Sequence, residues 1–271
     1  MKGRVICVHG IQSHGGWYEH SCHRLSQAGY SICFLDRRGA GLNQEARGDA
    51  PSFRRLLDDL AEFIQEENKR PSATADSSDV ASTVIPVSPQ LPTFLLAISW
   101  GGKLAVALER WCPGLVDGLI LLCPGFFPKV RPSHRLGIAL ARLWSPRKLF
   151  PIPLNNPELF TANPRWQKFI QENPQSLRQA TARLLVESVR LDGYLPWAAP
   201  RVRISVLALL AEQDRIIDNQ RTRQFIERFP SRDKKIIEYP GAHHTLEFEP
   251  NPEIYLTDLL RWLQEHAEIK K

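Results

Sequence analysis

Six short apolar runs, separated by stretches of helical period, constrain this chain more than any other feature. They fall at 4–8, 31–35, 93–98, 117–123, 203–210 and 235–239. The runs are β-branched or leucine-rich and mostly apolar at consecutive positions, so both faces of each strand must be covered. Helical patterns lie between them, at about 19–28, 52–68, 101–111, 219–229 and 252–267. In the second of these, Phe53, Leu56, Leu57, Leu60, Phe63 and Ile64 share one face, and Asp58, Asp59, Glu62 and Glu66 the other. Strands alternating with helices predict an α/β fold with a doubly wound, mostly parallel sheet of about six strands. A chain of 271 residues is long enough for one such domain with an insertion.

The insertion follows the fourth strand. Pro124-Gly125 stops that strand, and helical patterns at about 133–144, 164–172 and 175–193 interrupt the alternation. The expected organisation is a core of 1–124 and 201–271 with a helical cap, or lid, over 125–200. Ser133 is expected to cap the first cap helix. That helix puts Leu136, Ala139, Leu140, Leu143 and Trp144 on one face, and Arg135 and Arg142 on another. Such a face either packs on the core or lies on a membrane surface, and core packing is the expectation. Segment 71–92, rich in Ser, Ala, Pro and Val and without a period, reads as a flexible surface loop.

Composition narrows the function classes. No run approaches the roughly 18 consecutive apolar residues of a membrane span. The start, Met1 to Val8, enters a strand directly, without the apolar core of a signal peptide. The five cysteines (Cys7, Cys22, Cys33, Cys112, Cys123) are odd in number and widely spaced, and three lie in strand-like runs where cysteine acts as a small hydrophobe. Neither a metal-ligand spacing nor a disulfide framework is present, so a cytoplasmic protein without metal or cofactor is expected. The net charge of +6 is uneven. Between Asp117 and Glu158 no acid occurs, while Lys129, Arg131, Arg135, Arg142, Arg147 and Lys148 do. This patch either draws in anionic head groups or acidic substrates, or is simply a solvated basic surface. No nucleic-acid module is recognisable.

The chemistry gathers at the strand ends. Ser99 interrupts Phe94-Leu95-Leu96-Ala97-Ile98-Ser99-Trp100-Gly101-Gly102 between a strand and a helix. A serine hydroxyl is a weak nucleophile that needs a base, and a sharp turn to present it. In such a nucleophile elbow, small residues two before and two after let backbones approach; here they are Ala97 and Gly101. Asp214 follows the run Val206 to Leu210 and is the choice for the carboxylate that orients the base. Its rivals are Asp218, more simply a helix N-cap, and Glu212, nearer the strand. For the base, His243 and His244 are neighbours after the last strand, and only one can point inward. Two N–H donors are expected for an oxyanion: Trp100, after the nucleophile, and Ile11, in the loop after the first strand where Gly10 lets the backbone approach. His9 and the Asp36-Arg37-Arg38-Gly39-Ala40-Gly41 turn are read as structural.

These segments resemble one family throughout. Ser…Asp…His is the order used by α/β-hydrolases. His9-Gly10-Ile11-Gln12-Ser13-His14-Gly15-Gly16-Trp17-Tyr18 is similar to the opening motif of the monoacylglycerol lipase/lysophospholipase group, also classed with serine aminopeptidase-like hydrolases. Asp36 to Gly41, Ala97 to Gly102, Asp214 to Asp218, and Tyr239-Pro240-Gly241-Ala242-His243-His244 resemble further motifs of that group, and Leu159-Phe160-Thr161 resembles its cap. The resemblance implies His244 as the base. It also implies that a carboxylic ester with an apolar acyl chain, a small molecule or lipid, is cleaved through an acyl-enzyme. Departures are informative. Ala97 stands where the elbow usually has glycine. Ser13 and Trp17 stand where group members carry a glutamate and an arginine for glycerol, and with His14 they are the expected substrate contacts. The group usually has two strands before the His-Gly strand, so either the sheet is trimmed or the true start lies upstream. Amide, peptide or thioester cleavage, acyl transfer, and a non-catalytic binding or peripheral membrane module are the rival readings. Peripheral contact with an anionic membrane through the basic cap belongs with the last.

Overall fold

The computed structural model describes residues 1–70, 91–130 and 135–268. The strands are β1 (Gly3–Val8), β2 (Tyr30–Leu35), β3 (Thr93–Ile98), β4 (Gly118–Leu122), β5 (Leu149–Pro151), β6 (Gln179–Thr181), β7 (Ser205–Ala211) and β8 (Lys234–Tyr239). Six of them form one sheet in the order β2-β1-β3-β4-β7-β8, every pair parallel. These are the six expected runs, with ends moved by a residue or so. β1, β3 and β4 are buried at every position, which is why they read as continuous apolar runs.

The helices are α1 (Glu19–Gln27), α2 (Phe53–Lys69), α3 (Gly101–Trp111), α4 (Arg135–Trp144), α5 (Pro164–Glu172), α6 (Ala182–Ala198), α7 (Asn219–Glu227) and α8 (Glu253–Ala267). Local chemistry sets their starts. Ser52 Oγ accepts from Arg55 N–H at 3.1 Å and caps α2, and Asp218 does the same for α7 through Arg221 N–H at 3.0 Å. α1 packs with α8, and α2 with α3 and α6. Phe94 of β3 meets Trp262 of α8 edge-on, ring centroids 5.7 Å apart. Trp111 Nε1–H of α3 donates to Asp58 of α2 at 2.7 Å.

The chain between β4 and β7 holds α4, β5, α5, β6 and α6. Part of it differs from expectation. The pattern at 175–193 resolves into β6, paired antiparallel with β5, and then α6. Thr181 explains the late start: its Oγ accepts from Leu184 N–H at 3.1 Å, an N-cap six residues past the expected beginning. Ser133 and most of segment 71–92 lie outside the described residues.

The larger correction concerns α4. Its broad apolar face does not pack on the core. Leu136, Leu140, Leu143 and Trp144 are 75%, 51%, 74% and 85% exposed. The helix docks through the opposite side instead, where Ile138 is buried and Ala141 packs against the core, with α6 as neighbour. Two small contacts on the narrow stripe outweigh four large side chains on the broad one, because only the narrow stripe finds a surface to meet.

Candidate functional site

From β1 the chain turns to β2 on one side, and later to β3 on the other. The carboxyl ends of β1 and β3 therefore flank the point where strand order reverses, the crevice in which open α/β sheets bind ligands. The loop from His9 and the turn at Ser99 both emerge there.

Ser99 follows β3 directly with φ +50°, a left-handed conformation costing a non-glycine residue about 1–2 kcal/mol. The turn is held from three sides. Ser99 N–H donates to Leu122 O at 2.8 Å, and Ser99 O accepts from Gly102 N–H at 2.9 Å and Gly125 N–H at 2.7 Å. Space enforces glycine nearby: a Cβ on Gly101 would lie 2.8 Å from the carbonyl oxygens of Val8 and His9. Ala97, where glycine is usual, is fully buried within β3, so its methyl is accommodated.

His244 Nε2 lies 2.9 Å from Ser99 Oγ, and its Nδ1–H donates to Asp214 Oδ2 at 2.7 Å. Asp214 Oδ1 accepts from Ile216 N–H and Ile217 N–H, both at 2.8 Å, which fixes the carboxylate. Lys129 Nζ donates to the Asp214 carbonyl at 2.7 Å. The neighbouring His243 turns away: its N–H and Nδ1–H both donate to Glu249 Oε1, at 2.8 and 3.1 Å. Asp218 caps α7, and Glu212 accepts from Gly241 N–H at 2.8 Å, so neither rival acid turns to the imidazole. The Phe160 ring stands edge-on to His244 at 5.9 Å.

The loop after β1 is pinned from behind. His9 Nδ1–H donates to Gly10 O at 2.7 Å, and its Nε2 accepts from Arg37 N–H at 3.1 Å. Burial, and then the Arg37 charge, push the His9 pKa well below its ordinary value, so it stays neutral. Arg37 Nη2 donates to the carbonyls of Gly10 and Ile11, and its guanidinium lies 5.0 Å from the Trp100 ring centroid. Burial lowers the Arg37 pKa to about 10. Ile11 and Trp100, the two expected N–H donors, thus sit on one clamped unit, and both line the cavity that Ser99 lines.

Ser13, His14 and Trp17 do not reach that cavity. Ser13 Oγ accepts from Gly10 N–H at 3.1 Å and Tyr18 O–H at 3.4 Å. His14 accepts from Gly16 N–H at 3.1 Å, and its other ring nitrogen donates to Asn173 Oδ1 at 3.2 Å. Trp17 packs among Phe160, Phe169 and Phe248. All three are buried; Ser13 and His14 are hydrogen-bonded and Trp17 is packed in an aromatic cluster, so they brace the loop.

The cavity holds about 610 Å³ and has a mostly apolar wall, including Phe126, Phe127, Ile152, Leu154, Leu185 and Leu195. Sequence reasoning missed its polar members. Trp100 Nε1–H donates to Ser188 at 2.8 Å, and Lys103 pairs with Asp192. Lys103 falls one helical turn after Ser99, a spacing that would have placed it beside the site. Cys123, Asp214 and His244 place one donor atom each within 4.8 Å of one another. They do not fit a resident metal. Asp214 and His244 spend those atoms on each other, and burial, then the Asp214 charge, hold the Cys123 thiol protonated.

Comparisons with known proteins agree on the fold. The family described as serine aminopeptidase, S33, matches residues 1–251. A monoacylglycerol lipase of Mycolicibacterium smegmatis is 26% identical over 98% of this chain and 89% of its own. Among solved structures, the monoacylglycerol lipase of Paleococcus ferrophilus superposes with a TM-score of 0.82 at 22% identity, covering 98% of this chain and 95% of that one. A soluble variant of the monoglyceride lipase of Saccharomyces cerevisiae, in complex with a substrate analog, gives 0.81 at 20% identity, covering 98% and 87%.

Proposed function

The chain belongs to the serine aminopeptidase S33 family, and from that premise we propose that it is a serine hydrolase of carboxylic esters with an apolar acyl chain. The observation that carries this reading is the hydrogen-bonded series Asp214–His244–Ser99, which opens onto a largely apolar cavity. Relatives named as monoacylglycerol and monoglyceride lipases support it.

Ser99 Oγ attacks the ester carbonyl while His244 Nε2 takes its proton. Asp214 keeps the imidazole in the Nδ1–H tautomer and stabilises its charged form. The N–H groups of Ile11 and Trp100 receive the oxyanion. His244 returns the proton to the leaving alcohol, then activates water to free the acyl-enzyme. The acyl chain lies along the apolar wall, and the 125–200 insertion acts as the cap over it. The exposed apolar face of α4 lies on an anionic membrane, with the exposed Arg147 and Lys148 just after it meeting lipid phosphates.

A panel of p-nitrophenyl esters of rising acyl length, run beside aminoacyl p-nitroanilides, tests the reaction. Esters should turn over faster as the chain lengthens, with the anilides inert; the reverse order would make this an aminopeptidase. Sedimentation with phosphatidylglycerol vesicles tests the membrane contact: binding that weakens with salt is expected, and no binding at low salt refutes it.

A further inference from the structure

We propose that the cavity selects esters carrying an anionic group, a phosphate or a carboxylate, away from the scissile carbonyl. This rests on ester cleavage at Ser99 and adds the charge of the substrate to it. Among the described residues, five charged side chains line the cavity: Lys103, Arg135, Asp192, Arg221 and Arg228. Lys103 and Asp192 satisfy each other. That leaves Arg135 from α4, Arg221 from α7 and Arg228 just after α7, and none of the three has a carboxylate partner among the described residues.

Some arginines outside the cavity are paired with carboxylates and others, such as Arg54, Arg110 and Arg165, lie over aromatic rings instead, so what marks these three is their place on the cavity wall. Arg24 pairs with Glu253, Arg38 with Asp59, Arg190 with Glu187, Arg223 with Glu238 and Arg261 with Asp258. Arg223, on the same helix as Arg221, has a partner, whereas Arg221 and Arg228, which line the cavity, have no carboxylate partner among the described residues. Arg221 is also oriented: its guanidinium lies 4.4 Å from the ring centroid of Phe127, itself part of the wall. Arg221 lies in the first turn of α7 and Arg228 is the residue that caps its C-terminal end, about 10 Å further along the axis. Guanidinium groups bind phosphate and carboxylate through paired N–H bonds, a geometry that a neutral alcohol cannot return. All three arginines are exposed at the cavity, so an anionic ester adds their attraction to the apolar wall that a neutral ester uses alone.

Two matched substrate pairs, used as monomers below their aggregation thresholds, test this. One pair is p-nitrophenyl octanoate against the mono-p-nitrophenyl ester of octanedioic acid, which puts a carboxylate on the acyl end. The other is monododecanoylglycerol against the same lipid phosphorylated on its terminal hydroxyl, which puts a phosphate on the alcohol side. We expect the anionic member of at least one pair to have the higher kcat/KM by about tenfold at low ionic strength, and the pair that responds identifies the source of the anion. The ratio should fall toward one in about 0.5 M NaCl, and in R221Q/R228Q and R135Q. The salt titration needs only the native protein, so it reads the ratio even if a variant fails to fold. Equal kcat/KM within both pairs, or a ratio that survives the loss of all three arginines, overturns the proposal. Turnover of p-nitrophenyl octanoate that persists undiminished in S99A overturns cleavage at Ser99, and this inference with it.

Discussion

Ser99, His244 and Asp214 are each held from several sides; Leu136, Leu140, Leu143 and Trp144, on the helix whose first residue lines the same cavity, are held by nothing among the described residues. The first region sits where strand ends converge, so its backbone is fixed by the sheet before any side chain is placed. Among the described residues, the second meets the core through Ile138 and Ala141, with α6 as its neighbour. The difference teaches that one cavity can combine a wall that must not move with a wall that other surfaces can reach. Proton transfer needs donor and acceptor held at hydrogen-bond distance. Letting a large apolar substrate in needs the other kind of wall.

Substitutions in the fixed region should be severe for turnover and mild for folding. Replacing Ser99 with alanine should lower ester turnover on the order of 10⁶, as removal of a nucleophile does in serine proteases, with thermal unfolding little changed, since alanine keeps the same backbone conformation and loses one hydrogen bond to His244. Steady-state kinetics and calorimetry on the same sample check this, and a loss under tenfold would move the chemistry elsewhere. Asp214→Asn should cost on the order of 10⁴ in kcat, because the amide stabilises the wrong imidazole tautomer. Asp218→Ala should cost only about 1 kcal/mol of stability through the lost cap on α7. If the two variants lose equal activity while folded, the acid is misassigned.

A buried carboxylate further along α3, the helix that follows Ser99, extends the contrast. Glu109 on α3 is buried with one carboxylate oxygen unpartnered, and burial raises its pKa from 4.5 to about 7. Below pH 4.5 the carboxyl is neutral in folded and unfolded chains and costs nothing. As pH rises toward 7 the unfolded chain releases its proton first, so stability falls; above 7 the loss is constant. Glu109→Gln should therefore gain on the order of 3 kcal/mol over the native protein at pH 8 and nothing at pH 4. Urea unfolding at the two pH values reads this directly, and a pH-independent difference would contradict it.

The outer region predicts the smallest effect on folding. Leu140→Glu and Leu143→Glu should change stability by no more than about 0.5 kcal/mol, since these side chains already face solvent. The same variants should lose vesicle binding. A loss of about 2–5 kcal/mol would mean that the face is packed in solution.

The two regions also differed in how far they could be read. β1, β3, β4 and β7 are legible because buried parallel strands leave uninterrupted apolar runs, and Ser99 and Asp214 stand out as polar residues just beyond such runs. The choice between His243 and His244 was not readable from spacing. It depends on Glu249, six residues after His243 and across a turn, which draws that ring away. β5 and β6 escaped notice because three residues carry no period. α4 was misread for a deeper reason: amphipathic period says that a face is apolar, not what covers it. Ser13, His14 and Trp17 were placed by analogy of position, whereas burial and partners decide whether a side chain can face a ligand.

Reaction with a fluorophosphonate, followed by intact mass and peptide mapping, tests the central claim most directly. The account predicts one adduct per chain, located on Ser99 and formed at a rate that collapses in His244→Ala. An adduct on another serine with Ser99 unmodified, or labelling at full speed without His244, would contradict it.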